Sequence, residues 1–492
     1  MSFKKTKKFA AVAMALMLSV ALLAGCSPTD TGYWNLYMEM SKLKEYTVTG
    51  DFTLDINPDM IGADVGPISV KMVMSGSVAL TDKDFYMDLK MKYGINDTKT
   101  PNECSMVLAG NGFYMPVKDV ADLIAIVLKY SEGYSDKMCA DIKAALIKEF
   151  PAGAWLALAD YGEIFAEAGM ADMSLTSIAA GSEAMMEALT GAFQKMFSDL
   201  ESGMTKKTTD GYSLEITPDN AMAFIDKLVS HISKNKKVIF TEAVKLVKAV
   251  AAIYPEGSDI RDTMDEFLGE IEYYEQDFYD ALDEMVSYYN DLSDYDKDSA
   301  KLLVKGSYIK HSVSKSGSAF TDNYDVLIKV EGEKVFSFKG QQKITPAKVT
   351  NKVSVTGDPV GIIAFGETLN KVINKVNHAT EIEITWDNGS DYVWMEVTRV
   401  EGYDWDSAQS NIENGTMFLP MRQICEWFGE DVEWVQKEKR AYIVRGDKRT
   451  DMTGKIVNNR TLVKIRDFEK LGYTVEYTYD KDWKEHKVVI TK

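Results

Sequence analysis

Three groups of side chains in this chain have the type and spacing to do chemistry. Cys26 is a thiol at the end of an apolar run, and the small residues Ala24 and Gly25 before it leave its sulfur sterically open. Asp294, Asp296 and Asp298 begin like a calcium loop, in which alternate carboxylates wrap a hard cation. Position six of that loop is Ser299 rather than Gly, and position twelve is Lys305 rather than Glu, so a solvated linker is expected. Lys234, Lys236, Lys237, Lys245 and Lys248 form a basic cluster that could meet anionic lipid or wall polymer. Neutralising a neighbouring acidic helix is its favoured use.

Other catalytic constellations are missing from the sequence. His231, His311, His378 and His486 are scattered without an H-x-H or H-E-x-x-H pair, so the usual zinc and copper scaffolds are lacking. No G-x-S-x-G elbow is present, and no P-loop or G-x-G-x-x-G follows a strand. A glycosidase pair cannot be chosen among 75 acids without geometry. The expectation is a protein that is not an enzyme, with no catalytic residues, no metal and no cofactor.

The elements that must position any site start from 492 residues, enough for roughly three domains, with 46% apolar side chains, an ordinary globular share. With 56 basic against 75 acidic residues the net charge is -19, which argues against a nucleic-acid partner. Lys4, Lys5, Lys7 and Lys8 precede the apolar run Phe9 to Ala24, the pattern of an export signal and too short for a bilayer span. Cys104, Cys139 and Cys425 match no CxxC pattern; an odd count favours buried unpaired thiols, with one disulfide left open.

Leu23-Ala24-Gly25-Cys26 resembles the lipobox of bacterial lipoproteins. That resemblance implies a signal peptide over residues 1–25, acylation at Cys26, and a protein anchored by its lipid to the outer face of the cytoplasmic membrane. Residues 26–45 are expected to hold a short polar tether, Ser27 to Gly32, and the start of a first helix.

From Tyr46 the apolar period is two. Val70, Met72, Met74 and Val78 alternate with polar neighbours, as do Met87, Leu89, Met91 and Tyr93. Asn111-Gly112 predicts a hairpin turn. Beyond Pro116 a helical period predicts helices over 117–130, 141–150, 155–168, 182–200, 218–233 and 243–253, then one acidic helix over 259–292. Period two returns at Tyr324, and a helix over 360–376 precedes strands that meet at Asn388-Gly389. The predicted class is α+β: one antiparallel sheet domain over 46–400, covered by a helical insertion over 117–302. Two separate domains are the alternative.

Residues 410–492 contain an internal duplication. Asn414-Gly415-Thr416-Met417-Phe418-Leu419-Pro420-Met421-Arg422 recurs as Asn459 to Arg466, and Gly429 with Val432-Glu433-Trp434 recurs as Gly472 with Val475-Glu476-Tyr477. Each copy predicts strand, short helix, strand, strand. Gly429 and Gly472 sit where a helix ends in the left-handed conformation. Trp434 and Tyr477 are expected to pack over the helix, and Arg422 and Arg466 to open it. This segment resembles the copper amine oxidase N-terminal-like, or stalk, domain of exported Gram-positive proteins. The second copy departs from that pattern, with Lys464 for Pro and Tyr477 for Trp. The resemblance implies a compact non-catalytic module, and the partner expected for it is cell-wall polymer or another surface protein.

Asn323-Tyr324-Asp325 has the short core of the quinone motif of amine oxidases, but Phe320 stands at its Thr position and no histidine pair follows. The Met-rich strands under a helical cover also look like bacterial lipoprotein carriers of the LolA type, which accept acyl chains. The sequence therefore predicts a lipid-anchored, non-enzymatic cell-surface protein with a stalk-type module. A carrier of a hydrophobic ligand is the alternative.

Overall fold

The computed structural model describes residues 27–57, 66–81, 85–96, 101–131, 133–167, 187–198, 200–254, 256–271, 273–387, 392–409, 411–413, 416–452, 454–457 and 460–492. It is of mixed α+β class and divides into two compact units. Unit one holds residues up to 116 with 157–355, and unit two holds 117–156 with 356–492.

The sheet of unit one is built from β1 (Glu45–Ile56), β2 (Ile68–Leu80), β3 (Phe85–Ile95), β4 (Asn102–Ala109), β5 (Gly112–Pro116), β7 (Thr205–Lys207), β8 (Gly211–Ile216), β9 (Tyr308–Ser316), β10 (Ala319–Val330) and β11 (Glu333–Pro346), with β6 (Trp155–Asp160) at the change of unit. Its order is β5-β4-β3-β2-β1-β11-β10-β9-β8-β7. The seam where both ends of the segment meet is the antiparallel pair β1 and β11, from Tyr46 opposite Pro346 to Ile56 opposite Phe336. Strict alternation puts Val48, Met74, Leu89, Val313, Phe320 and Ile344 on one face. There they pack with Phe224, Ile225, Leu228 and Ile232 of helix Pro218–Ala251.

Several predicted elements differ. Trp155 to Asp160 is a strand, because a short apolar run carries no period that separates strand from helix. The helices expected over 218–233 and 243–253 are one, Pro218–Ala251, kinked at Asn235 (φ -120°, ψ 21°), whose amide bonds back to the His231 carbonyl at 3.0 Å. The acidic helix is two, Asp259–Gly269 and Glu275–Asn290. Lys236 of the basic cluster ion-pairs with Asp283 of the second. Of the predicted insertion 117–302, β7 and β8 join the large sheet beside β9, and helices Val117–Ser131 and Asp136–Lys148 belong to unit two.

The tether is also corrected. Pro28–Ser41 is a helix from the second described residue onward, capped by Ser27 with Asp30 as its capping-box partner. Pro at the first helical position and an acid in the first turn suit a helix N-terminus. A polar composition alone did not separate a cap from a tether.

In unit two, β12 (Val360–Gly361) precedes helix Ile362–Val376. β13 (Ala379–Asp387), β14 (Tyr392–Arg399) and β15 (Tyr403–Gln409) form a five-stranded sheet with β23 (Thr474–Asp480) and β24 (Glu485–Thr491), in the order β15-β14-β13-β24-β23. The strands expected at the end of a 46–400 domain thus pair with the last strand of the repeat segment, Ile384 opposite Val488. The cause is shared burial: Ile382, Ile384, Val393, Met395 and Val397 enter one core with Leu419, Ile424, Phe428, Val463 and Phe468 of the repeats. Cys104, Cys139 and Cys425 are buried, and none is in a disulfide.

Candidate functional site

Two copies of one supersecondary unit form the repeat segment. In the first, after β16 (Asn411–Glu413), β17 (Thr416–Pro420) leads into helix Met421–Trp427, then into β18 (Asp431–Val435), β19 (Arg440–Arg445) and β20 (Lys448–Asp451). In the second, after β21 (Lys455–Val457), β22 (Arg460–Lys464) leads into a 3₁₀ helix, Ile465–Leu471, then into β23 and β24. β17 pairs with Arg460–Lys464, Leu419 opposite Val463, so the copies are joined strand to strand.

The glycines that end the two short helices are left-handed, Gly429 with φ 73° and Gly472 with φ 89°. An added β-carbon at Gly429 would also lie 3.1 Å from the Asn374 carbonyl, whereas nothing lies near one at Gly472. Gly472→Ala is therefore expected to cost about 1–2 kcal/mol from backbone strain alone, and Gly429→Ala more. Thermal unfolding of both variants by circular dichroism checks that order; equal losses would contradict it.

Glu430, next to Gly429, links the copies. It is buried and accepts two hydrogen bonds from Arg445, at 2.8 and 2.6 Å, and one from the Tyr473 hydroxyl. Arg445 also donates to the Leu471 carbonyl at 2.9 Å, and Tyr473 stacks on Phe428 at 4.6 Å. Burial pushes the Glu430 carboxyl up, but the bonds from Arg445 and Tyr473 outweigh it and hold the group below its ordinary value.

The predicted module residues divide between core and surface. Leu419 is fully buried and Pro420 is buried beside it. Arg422 opens its helix and pairs with Glu426 at 3.6 Å; Arg466 pairs with Glu469 at 2.7 Å. Trp434 packs at the edge of the core, its indole N–H on Gln436 at 2.6 Å. Tyr477 is a correction: it is half exposed and bonds His486 at 2.8 Å rather than covering a helix. Val475 takes the buried place on that strand, and Tyr477 and Tyr479 run past the edge of the cover. Asn414 and Gly415 lie outside the described residues, as do Cys26 and the lipobox residues Leu23, Ala24 and Gly25.

Pro420, Arg422 and Trp434 border an open groove of about 980 Å³, with Gln423, Glu426, Trp427 and Arg460. It offers aromatic edges, guanidinium donors and one paired carboxylate, the equipment of a binding surface.

Unit one has a second polar cluster, under helix Pro28–Ser41. The Asp30 carboxylate is fully buried and accepts from the Ser27 hydroxyl at 2.8 Å, the Ser202 hydroxyl at 2.6 Å and the Thr205 hydroxyl. One turn on, Tyr33 bonds His311 of β9, whose other ring nitrogen faces the buried Asp322 of β10. Tyr324 and Gln342 donate to the other oxygen of Asp322. Burial, then the neighbouring Asp322, raise the Tyr324 hydroxyl well above its usual range. This Tyr–His–Asp chain holds the helix on the sheet. Tyr324 of the Asn-Tyr-Asp motif is thus a strand residue bonded to a carboxylate. The histidine role was not legible in sequence, because His311 and Asp322 meet only through the β9–β10 register, where Tyr324 lies opposite His311 and Asp322 opposite Val313. Asp296 of the calcium-like run is spent in the capping box of helix Asp294–Leu303. Among the described residues no group of three His, Cys, Asp or Glu could hold a metal ion, and no helix is long and apolar enough to cross a membrane.

Compared with known families, residues 399–455 match the copper amine oxidase N-terminal domain. That stretch spans β15 and the first copy of the repeat, and the matched domain is a non-catalytic module, compatible with an interaction role. No curated protein and no solved structure matches the chain.

Proposed function

We propose that this is a non-enzymatic lipoprotein of the cell surface, held at the outer face of the cytoplasmic membrane through acyl chains on Cys26, with unit two as a module that binds wall material. The observation that carries the anchoring is the chemistry on either side of Cys26. Leu23-Ala24-Gly25 before it has the lipobox pattern, and Ser27 directly after it caps a helix fastened to the sheet through Asp30 and Tyr33. Each acyl CH₂ transferred into the bilayer contributes about 0.8 kcal/mol, so two or more chains give stable attachment. With the helix starting two residues later, the load passes straight into a folded unit.

Membrane fractionation of cells producing wild type and Cys26→Ser tests the anchoring. The wild type is expected in the particulate fraction and releasable only by detergent, and the variant in the soluble or secreted fraction. A variant that pellets as completely as the wild type would overturn the reading.

A carrier of hydrophobic ligand draws support from one feature of unit one. Phe52 and Met72 line an open groove of about 560 Å³ on the large sheet, and Phe52 stacks on Phe338 at 5.5 Å. Organic extraction of the purified protein, followed by mass spectrometry, separates the two readings. Stoichiometric lipid beyond the Cys26 acyl groups would favour the carrier.

A further inference from the structure

The outer face of the five-stranded sheet in unit two carries a row of aromatic side chains. The inward residues of β13 and β14, Ile382, Ile384, Val393, Met395 and Val397, are fully buried. Alternation therefore turns Tyr392, Trp394, Glu396 and Thr398 outward. In the β14–β15 register Tyr392 lies opposite Gln409, Trp394 opposite Ser407, Glu396 opposite Trp405, and Thr398 opposite Tyr403. One aromatic ring stands at each of these four successive levels: Tyr392, Trp394, Trp405, Tyr403. All four are 57–67% exposed. At about 3.3 Å per residue the row is about 20 Å long. Folding alone does not explain four large rings left in water on one flat surface, and such contiguous patches mark binding sites.

The neighbours of the row select its occupant. Glu396 faces Trp405 in the middle of the strip, and the next strand presents Glu381, Glu383 and Thr385 opposite Thr398, Glu396 and Trp394. Lys487 is paired with Glu383 at 2.5 Å. Phosphate polymers and anionic lipid headgroups meet repulsion from these carboxylates. A protein hot spot would have to bury Glu396 without water, and charged residues are depleted from the cores of such interfaces. A neutral glycan meets neither cost: the flat C–H faces of its pyranose rings stack on indole and phenol rings, and its hydroxyls donate to Glu396 and Glu381.

The geometry points to this strip as a binding platform for an uncharged, β-linked pyranose chain, several rings lying along Tyr392, Trp394, Trp405 and Tyr403. Ser407, at the level of Trp394, also lines the groove of the repeat module, so the platform runs up to its rim. This names a partner class for unit two and rests on reading that unit as an interaction module; it does not depend on Cys26.

The test is isothermal titration of the full chain, purified in mild detergent, with the hexamer of N-acetylglucosamine and with cellohexaose. Saturable binding to at least one is expected. Trp394→Ala and Trp405→Ala should each weaken it at least tenfold, Glu396→Gln severalfold, and the double tryptophan variant should abolish it, all with unchanged circular dichroism and melting temperature because these side chains lie outside the core. The inference falls if neither hexamer binds, or if the double variant binds as the wild type does. It also falls if the tryptophans govern binding to phosphatidylglycerol vesicles while both sugars stay silent, which would make the strip membrane-facing. Fractionation of Cys26→Ser reads anchoring separately, so each idea can fail alone.

Discussion

Asp30→Ala is expected to destabilise unit one by about 3 kcal/mol or more. The carboxylate is fully buried and accepts from the Ser27 amide at 3.1 Å as well as from the hydroxyls of Ser27, Ser202 and Thr205. Its removal strands those donors, at about 1–3 kcal/mol for each left unsatisfied, and breaks the capping box, worth about 1 kcal/mol. Asp30→Asn should also destabilise, because its amide brings donors to face donors. The effect has a pH signature. Burial pushes the carboxyl up, yet the bonds from Ser202, Thr205 and Ser27 leave it below its ordinary value. A folded value below the unfolded one means the stabilisation is complete above the unfolded value, about 3.9, and is lost as pH falls through the lower native one. Urea unfolding at pH 7 and at about pH 3 should show the gap between wild type and Asp30→Ala closing in acid. Amide exchange at pH 7 should rise in residues 28–41 of the variant. A gap independent of pH, or unchanged exchange there, would refute the account.

Glu430→Ala is the second large effect, expected at about 3 kcal/mol in unit two. Removing one partner of a buried ion pair leaves the other uncompensated, which costs about 3–5 kcal/mol when both are enclosed. Arg445 is partly exposed, so water recovers some of that loss. The Tyr473 hydroxyl is left buried without its acceptor. Glu430→Gln keeps the shape and one acceptor, and should cost roughly half as much. Because Glu430 and Arg445 belong to the first copy and Tyr473 to the second, exchange should rise in both. A loss confined to the first copy would show that the bond to Tyr473 does not couple them.

The recurrence of Gly429 as Gly472 and of Trp434 as Tyr477 was legible because a repeated unit repeats its backbone needs. Left-handed helix ends call for glycine wherever they occur. The fate of Tyr477 was not, since Trp434 and Tyr477 hold equivalent places in their copies and differ only in how far the neighbouring layer extends. Likewise His311 gave no metal or catalytic spacing, and its partners Tyr33 and Asp322 are 278 and 11 residues away in the chain.

By itself the sequence determined the features whose physics is local: the two-residue period of β1 to β4, the duplication after residue 410, and the thiol at Cys26 with its small neighbours. Tertiary structure alone decided the order and register of the strands, that β13 and β14 pair with the last strand rather than the large sheet, and which faces remain open. Alternation says that a strand has two faces but not which layer covers either. Trp394 and Trp405 became a row only when the register between β14 and β15 set one ring at each level.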